Sequence, residues 1–404
     1  MTIKKYYAAY GKGADSGICL PFPETWRVET VSNSFPAMSD DDIIRSIQNT
    51  IGSPTLYELA RKASQVAIIL EDHTRFTPLK TAVDFTLSEL ERAGIRSGNI
   101  LMIGASATHR PTTREDIAKK ISAKALNKVR VIEHKVLCRE SLAYIGTTSR
   151  GTPVYLNAEA CACDLMIGIG GIAPHGSVHF GGGAKLLLPG IAGFDTIRHN
   201  HTQIDQDLDF TGDAIRPMRL DMEEAVSMTN YRFNISGLIG HDGALADMVS
   251  GDPILAHREG MKKGKRLYYV PIGKKADLVV ACSNPLDVDA FQSIKGLLPS
   301  VAFVKPGGTI LWVSACPEGM GTHILTQMDD EYCKAMKRGM KNVCKEVNVI
   351  FYSHNLDINE IKDYMPPEIM FTDKLEEALN KTLSLTASDA TVKILQASPF
   401  TVGI

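Results

Sequence analysis

The chain has little that would commit it to a membrane, a disulfide scaffold or a nucleic acid. No apolar run approaches the roughly 20 residues needed to span a bilayer. Eight cysteines are scattered over 404 residues, without the density of a secreted framework or the paired spacing of a zinc site, which suits a reducing compartment. Cys161-Ala162-Cys163 has no second pair nearby and reads as small packing residues rather than ligands. The 44 basic and 46 acidic side chains leave a net charge of −2, so no cationic surface points to nucleic acid or anionic lipid. The opening Met1-Thr2-Ile3-Lys4-Lys5-Tyr6-Tyr7 lacks the apolar stretch of a signal peptide, and a cytoplasmic location is expected. There is no HExxH pattern and no P-loop: Phe180-Gly181-Gly182-Gly183-Ala184-Lys185-Leu186 lacks the first glycine spacing and the terminal hydroxyl, which argues against an NTPase.

What is present is an alternation of short apolar runs and amphipathic stretches, the pattern of an α/β protein with a mostly parallel sheet. Strands are expected at 66–70, 100–103, 129–133, 164–169, 278–282, 300–304, 309–313 and 349–352. Helices are expected at 79–93, 113–120, 218–227, 254–263, 288–297, 327–347 and 374–383. The length exceeds what one core usually serves. The basic run Lys262-Lys263-Gly264-Lys265-Arg266 marks a boundary between a domain over 1–268 and a smaller one over 269–404. Each is expected to hold a mostly parallel sheet flanked by helices, with the active site in the cleft between them.

Four polar clusters follow these strands. Glu71-Asp72-His73-Thr74-Arg75-Phe76-Thr77-Pro78 comes directly after the first strand, where open α/β sheets bind ligands. Thr77 is expected to cap a helix beginning at Pro78; Asp72, Thr74 and Arg75 suit a phosphate or carboxylate site. Gly104-Ala105-Ser106-Ala107-Thr108-His109-Arg110-Pro111 follows the next strand, with His109 as a general base or a satisfied buried histidine. The third begins Pro174-His175-Gly176-Ser177-Val178-His179 and runs through Gly181-Gly182-Gly183-Ala184-Lys185 to His199 and His201. Glycines admit close backbone approach; imidazoles ligate metals or move protons; a lysine beside them contacts phosphate or forms a covalent anchor. The fourth, Asn284-Pro285-Leu286-Asp287 with Phe291-Gln292-Ser293-Ile294-Lys295, places Phe291 above Lys295 on one helix face. It suits either a carboxylate contact or an ordinary exposed lysine.

In this order the set resembles the nickel-pincer-nucleotide-dependent lactate racemase family of 2-hydroxyacid racemases and epimerases. The resemblance rests on Asp72-His73-Thr74-Arg75, Thr108-His109-Arg110-Pro111, Pro174-His175, Gly182-Gly183-Ala184-Lys185, Leu188-Pro189-Gly190-Ile191-Ala192, Asn200-His201 and Gln292-Ser293-Ile294-Lys295. It implies a two-domain enzyme carrying nickel in a pyridinium-3-thioamide-5-thiocarboxylate mononucleotide. By that resemblance Lys185 is the covalent anchor, His201 the nickel ligand, and His109 and His175 the two catalytic bases. Asp72 and Thr74, with Gly182 and Gly183, hold the cofactor; Arg75, Gln292, Lys295 and Phe291 meet the substrate. The implied partners are a small 2-hydroxy acid and the enzymes that make the cofactor.

Three departures bear on the substrate. Phe291 stands where the family pattern has a tyrosine, Ala107 where a glycine is expected, and His179 and His199 flank the expected imidazoles. A 2-hydroxy acid bulkier or differently polar than lactate is expected. A non-catalytic nickel- or nucleotide-binding protein on the same fold is the main alternative. A metal-dependent hydrolase using His175, His179, His199 and His201 is a third reading.

Overall fold

In a computed structural model of the chain, residues 2–11, 17–202, 210–212 and 214–404 are described. They fall into two compact units, Phe35–Leu267 and a second made of Met1–Ser34 with Tyr268–Ile404. The unit change after Leu267 falls at the basic run, but the first 34 residues depart from the expected division. They fold with the C-terminal unit because Arg27–Val31 pairs in parallel with Thr391–Leu395, extending that unit's sheet by one strand. No local pattern in a five-residue strand announces a partner so distant in sequence.

The Phe35–Leu267 unit is built on a six-stranded sheet. In spatial order its strands are Leu245–Gly251, Tyr231–Ile239, Leu165–Gly171, Val66–Glu71, Ile100–Ala105 and Arg130–Ile132. Only the first pair is antiparallel. Val66–Glu71 is buried along its whole length, as a central strand covered on both faces must be. Each of its aliphatic side chains contributes about 1.5–3 kcal/mol by leaving water. Register then places the site: Leu70 pairs with Gly104 on one side and with Ile169 on the other. The carboxyl ends of three strands therefore stop at one edge, and the polar clusters after them emerge together.

The second unit carries a six-stranded, wholly parallel sheet. Its order is Met370–Thr372, Asn348–Tyr352, Val304–Val313, Ala276–Cys282, Thr391–Leu395 and Arg27–Val31. One face packs Phe303, Trp312 and Phe351, the last two stacked at 3.8 Å. The other face is covered by Leu20, Phe22 and Trp26, in and just after a hairpin of Ile3–Ala9 with Gly17–Pro23.

Several local expectations change. The strand expected at 300–304 is instead the end of a helix, Ala290–Ser300, and a 3-10 turn, Val301–Phe303. The following strand is one element, Val304–Val313, because Pro306-Gly307-Gly308 is absorbed as a bulge in the register against Ala276–Cys282. The helix expected at 327–347 is divided: Asp329 caps Asp330–Glu346 by accepting from the Tyr332 N–H at 2.9 Å. Among the described residues, no helix is long and apolar enough to cross a membrane.

Candidate functional site

The first strand end forms a largely buried ionic cluster. Glu71, Asp72 and Thr74 are buried. Thr77 does not cap a helix; its hydroxyl donates to Glu71 Oε2 at 2.8 Å, and the helix begins at Lys80 without a side-chain cap. Lys120 Nζ lies 3.0 Å from Glu71 Oε1 and donates to the Arg75 carbonyl at 2.5 Å. Both oxygens of Asp72 are engaged. Oδ1 accepts from the Thr74 N–H at 3.2 Å and its hydroxyl at 2.7 Å, and Oδ2 faces His109 Nδ1 at 2.5 Å. Arg75 Nη1 donates to the Thr74 hydroxyl at 2.6 Å. Burial alone would raise the Asp72 pKa, but His109, with Arg75 and His73 behind it, outweighs burial and holds the carboxyl well below its usual range. The group is a carboxylate at any ordinary pH.

His109 is presented by a tight turn. Its N–H donates to the Ser106 carbonyl at 2.8 Å, and Ala107 takes a left-handed φ of 51°. That is a conformation glycine adopts most readily, at the position where the family pattern has a glycine. The Ala107 N–H reaches the Gly190 carbonyl at 2.9 Å, joining this loop to the third cluster.

In the third cluster, Pro174–His175 pairs with His179–Phe180 as a minimal antiparallel ladder. The chain then enters a 3-10 turn, Gly183–Leu186, that carries Lys185. Lys185 Nζ lies 2.9 Å from His175 Nε2, while the Ser177 N–H approaches His175 Nδ1 at 3.3 Å. Gly182 and Gly183 have φ of +80° and +59°. A Cβ on Gly182 would meet the Gly171 carbonyl oxygen at 2.5 Å, and one on Gly183 the His257 ring at 2.9 Å. Only glycine fits either position.

Four successive carbonyls of this loop are held from below. Arg219 donates to Phe180 and Gly182, His257 faces Gly181 at 2.8 Å, and the Tyr231 hydroxyl reaches Gly183 at 3.3 Å. Arg219 is buried yet remains a cation: burial lowers its pKa to about 10, with Glu223 opposing the fall. The sequence reading missed Arg219, His257 and Tyr231. Their signal was present in part, since Arg219, Asp221 and Glu223 alternate along Pro217–Ser227 and cannot all face solvent.

His201 ends the helix Phe194–His201. Its Nδ1 lies 2.9 Å from the Ile197 carbonyl, which commits the ring proton to Nδ1 and leaves the lone pair on Nε2. Burial lowers its pKa to about 3, the Lys185 charge adds to the fall and the Ile197 carbonyl opposes it. This is the state in which imidazole ligates a metal. His199, its rival, is joined to the Thr152 hydroxyl at 3.0 Å, and His179 Nε2 accepts from Arg216 at 2.9 Å. Among the described residues no three His, Cys, Asp or Glu side chains form a metal-holding group, which removes the basis for a four-histidine hydrolase. Burial pushes the Cys161 thiol up to about 12, with Cys163 adding to it, as expected of packing groups.

Phe291, Gln292 and Lys295 lie on the helix Ala290–Ser300 of the second unit. Asp289 caps it by accepting from the Gln292 N–H at 2.7 Å, and Lys295 Nζ donates to Gln292 Oε1. Phe291 is buried against His323 and Tyr364, at centroid distances of 5.5 and 5.3 Å.

The family model of the lactate racemase N-terminal domain matches residues 10–211, and that of the lactate racemase C-terminal domain residues 272–345. A lactate racemase of Thermoanaerobacterium thermosaccharolyticum is 30% identical over 290 residues, 70% of this chain and 68% of the relative. One of Lactiplantibacillus plantarum is 31% identical over 299 residues, 72% of this chain and 70% of the relative. In fold, the chain is similar to the lactate racemase apoprotein of T. thermosaccharolyticum, with a TM-score of 0.81, 24% identity, and coverage of 99% of this chain and 100% of the other. A Thermotoga maritima structure aligns with a TM-score of 0.71 at 18% identity, over 93% and 99% of the two chains. By sequence over both units, the chain belongs to the lactate racemase family and is an enzyme of the isomerase class.

Proposed function

We propose that the chain is a nickel-dependent racemase or epimerase of a 2-hydroxy acid, with the cofactor attached to Lys185 and His109 and His175 as opposed bases. The observation that carries this reading is the third cluster. A lysine sits 2.9 Å from one histidine, on a loop where two glycines leave no room for a Cβ, and His201 presents a neutral Nε2. These features fit the pincer nucleotide. His201 would supply one imidazole nitrogen to the nickel, and the cofactor would bring the remaining donors. Lys185 would hold the group covalently, His201 its metal, and Gly182, Gly183 and Thr74 its approach. When bound, the nickel-pincer nucleotide supplies a hydride acceptor, which makes a planar 2-keto acid accessible from a 2-hydroxy acid.

The chain's own residues then manage protons and charge. A base must take the hydroxyl proton and return it, and one histidine for each face serves both enantiomers. His109 takes up a proton with the Asp72 carboxylate already at Nδ1, so positive charge on the ring is met without reorganisation. We assign Asp72 to this positioning task. Both its oxygens are engaged by Thr74 and His109, and a carboxylate would repel the phosphate expected beside it. An acylated Lys185 would carry no charge, so the cation that faces His175 Nε2 at 2.9 Å would be removed. Arg75 and Lys295 bind carboxylate or oxyanion, with Gln292 and Phe291 beside Lys295.

The test is production together with the cofactor-synthesis enzymes, followed by peptide mass spectrometry, nickel analysis and C2 exchange on a panel of chiral 2-hydroxy acids. A mass increment on the Lys185 peptide, lost in Lys185→Ala, is expected. His109→Ala and His175→Ala are expected to load normally and to slow racemisation by orders of magnitude. Exchange at the wild-type rate after both histidines are changed would overturn the mechanism.

A further inference from the structure

The charged side chains of Pro217–Ser227 have no part in the chemistry above, yet two of them reach the two elements on which it depends. Arg219 is 1% exposed and Asp221 is 0% exposed. Arg219 Nη1 donates to the Gly182 carbonyl at 3.0 Å and Nη2 to the Phe180 carbonyl, gripping the loop that leads into Lys185. Asp221 faces the other element: its Oδ2 accepts from Asn200 Nδ2 at 2.6 Å, one residue before His201. The same carboxylate accepts from Thr148 at 2.5 Å and from Thr152 at 2.7 Å, and Thr152 also meets His199. Asn200 Nδ2 makes a further contact to the Met218 carbonyl at 3.3 Å, so the His201 helix is tied to this helix through backbone as well.

A buried arginine and a buried aspartate two residues apart are expensive to desolvate. Neither is used as a simple ion pair. Arg219 ends on carbonyls, with Glu223 as its nearest counter-charge and Arg258 in turn bound to Glu223 at 2.5 Å. Asp221 ends on three side-chain donors. Asp221 uses both oxygens and Arg219 both Nη atoms, although Arg219 Nε is left without a partner among the described residues. Buried groups held by several directed bonds fix geometry in a way that apolar packing cannot.

We propose that Pro217–Ser227 is a positioning element that registers the Lys185 loop against the His201 helix, with Arg219 setting the first and Asp221 the second. The inference rests on the proposed roles of Lys185 and His201. It makes the covalent anchor and the metal ligand separable: each is supported by its own residue on one rigid helix. Supporting contacts of this kind weigh heavily at metal sites because a ligand held loosely binds loosely.

The experiment uses the full chain produced with the cofactor-synthesis enzymes, reading attachment at Lys185 by mass and nickel release to a chelator by absorbance. Arg219→Met is expected to lower the fraction attached about tenfold, with Arg219→Lys restoring part of it through one carbonyl. Asp221→Asn is expected to leave attachment unchanged and to weaken nickel retention roughly 10- to 100-fold. Asn200→Ala, which cuts the link but keeps the buried carboxylate, is expected to reproduce that loss if Asp221→Asn folds poorly. Wild-type attachment and nickel retention in all the variants would overturn the inference alone. Equal loss of both properties in every variant, in step with thermal stability, would reduce the helix to a structural part and overturn it too. Absence of any increment or nickel in the wild type would instead overturn the functional reading, and this inference with it.

Discussion

Each unit is built on its own six-stranded sheet, and the two differ in what their buried carboxylates meet. In the second unit, Asp287 and Asp289 are buried and are seen to accept from the backbone N–H groups of Gly11 and Gln292. They hold a loop and cap a helix. In the Phe35–Leu267 unit, three buried carboxylates meet other ionisable side chains, Asp72 with His109, Glu71 with Lys120 and Glu223 with Arg258, while Asp221 accepts from neutral side chains. Backbone partners stabilise the fold at modest net gain. Paired ionisable groups in a largely buried strand-end cluster add little stability for their desolvation cost, and their value lies in poised charge. Under the proposed mechanism Phe291, Gln292 and Lys295 of the second unit join Arg75 in meeting the substrate, while the proton chemistry falls to the Phe35–Leu267 unit.

Substitutions there should therefore cost activity far more than the same changes in the second unit. His109→Ala and His175→Ala carry the largest expected effect, roughly 10²- to 10⁴-fold in C2 exchange, the usual weight of a general base. Asp72→Asn comes next. It keeps the shape but removes the charge facing Nδ1, and a fall of roughly 10- to 100-fold in kcat is expected, the weight of one charge-assisted hydrogen bond. Rate loss no greater than for Asp287→Asn would break the comparison. Lys120→Met tests the stability side. It strands Glu71, which is 3% exposed, and a loss of about 3–5 kcal/mol in urea unfolding is expected.

The same unit should be the acid-labile one. Burial lowers the pKa of His134 to about 4 against the pull of the Ala192 carbonyl, that of His201 to about 3, and that of His257 well below 6.5. Each is harder to protonate folded than unfolded. Stability is therefore fully present above about pH 6.5 and falls as the pH drops toward 4 and then 3. Each such histidine contributes a slope of about 1.4 kcal/mol per pH unit inside its window. His134→Gln should flatten the dependence between pH 6.5 and 4 by that amount. An unchanged slope would mean that His134 is not held neutral.

The sequence made the strand ends legible because polarity changes abruptly there. Buried Val66–Glu71 gives way to Asp72-His73-Thr74-Arg75, and Ile100–Ala105 to Ser106 and His109. A parallel sheet then brings those ends together without further information. The supports were legible only in part. Arg219 and Asp221 sit on a helix whose partners lie 18 to 73 residues away in sequence, and the local alternation of charge shows only that they cannot all face solvent, not what they meet. Thr77 misled for the opposite reason. Its position before Pro78 fits a local cap, but the helix begins only at Lys80, and the hydroxyl donates to the buried Glu71 carboxylate.

Phe291 offers the smallest effect and the sharpest test of the division between units. Its ring is packed against His323 and Tyr364, and a hydroxyl added there must find a partner or lose about 1–3 kcal/mol of stability. If Phe291 helps choose the substrate, Phe291→Tyr should shift relative kcat/KM between lactate and larger 2-hydroxy acids by roughly five- to tenfold, about one hydrogen bond's worth. The shift should appear as a change of preference, with attachment at Lys185 and nickel content unaltered. A lower melting temperature with an unchanged preference would instead make Phe291 a packing residue of the second unit, and substrate choice would have to come from the Phe35–Leu267 unit.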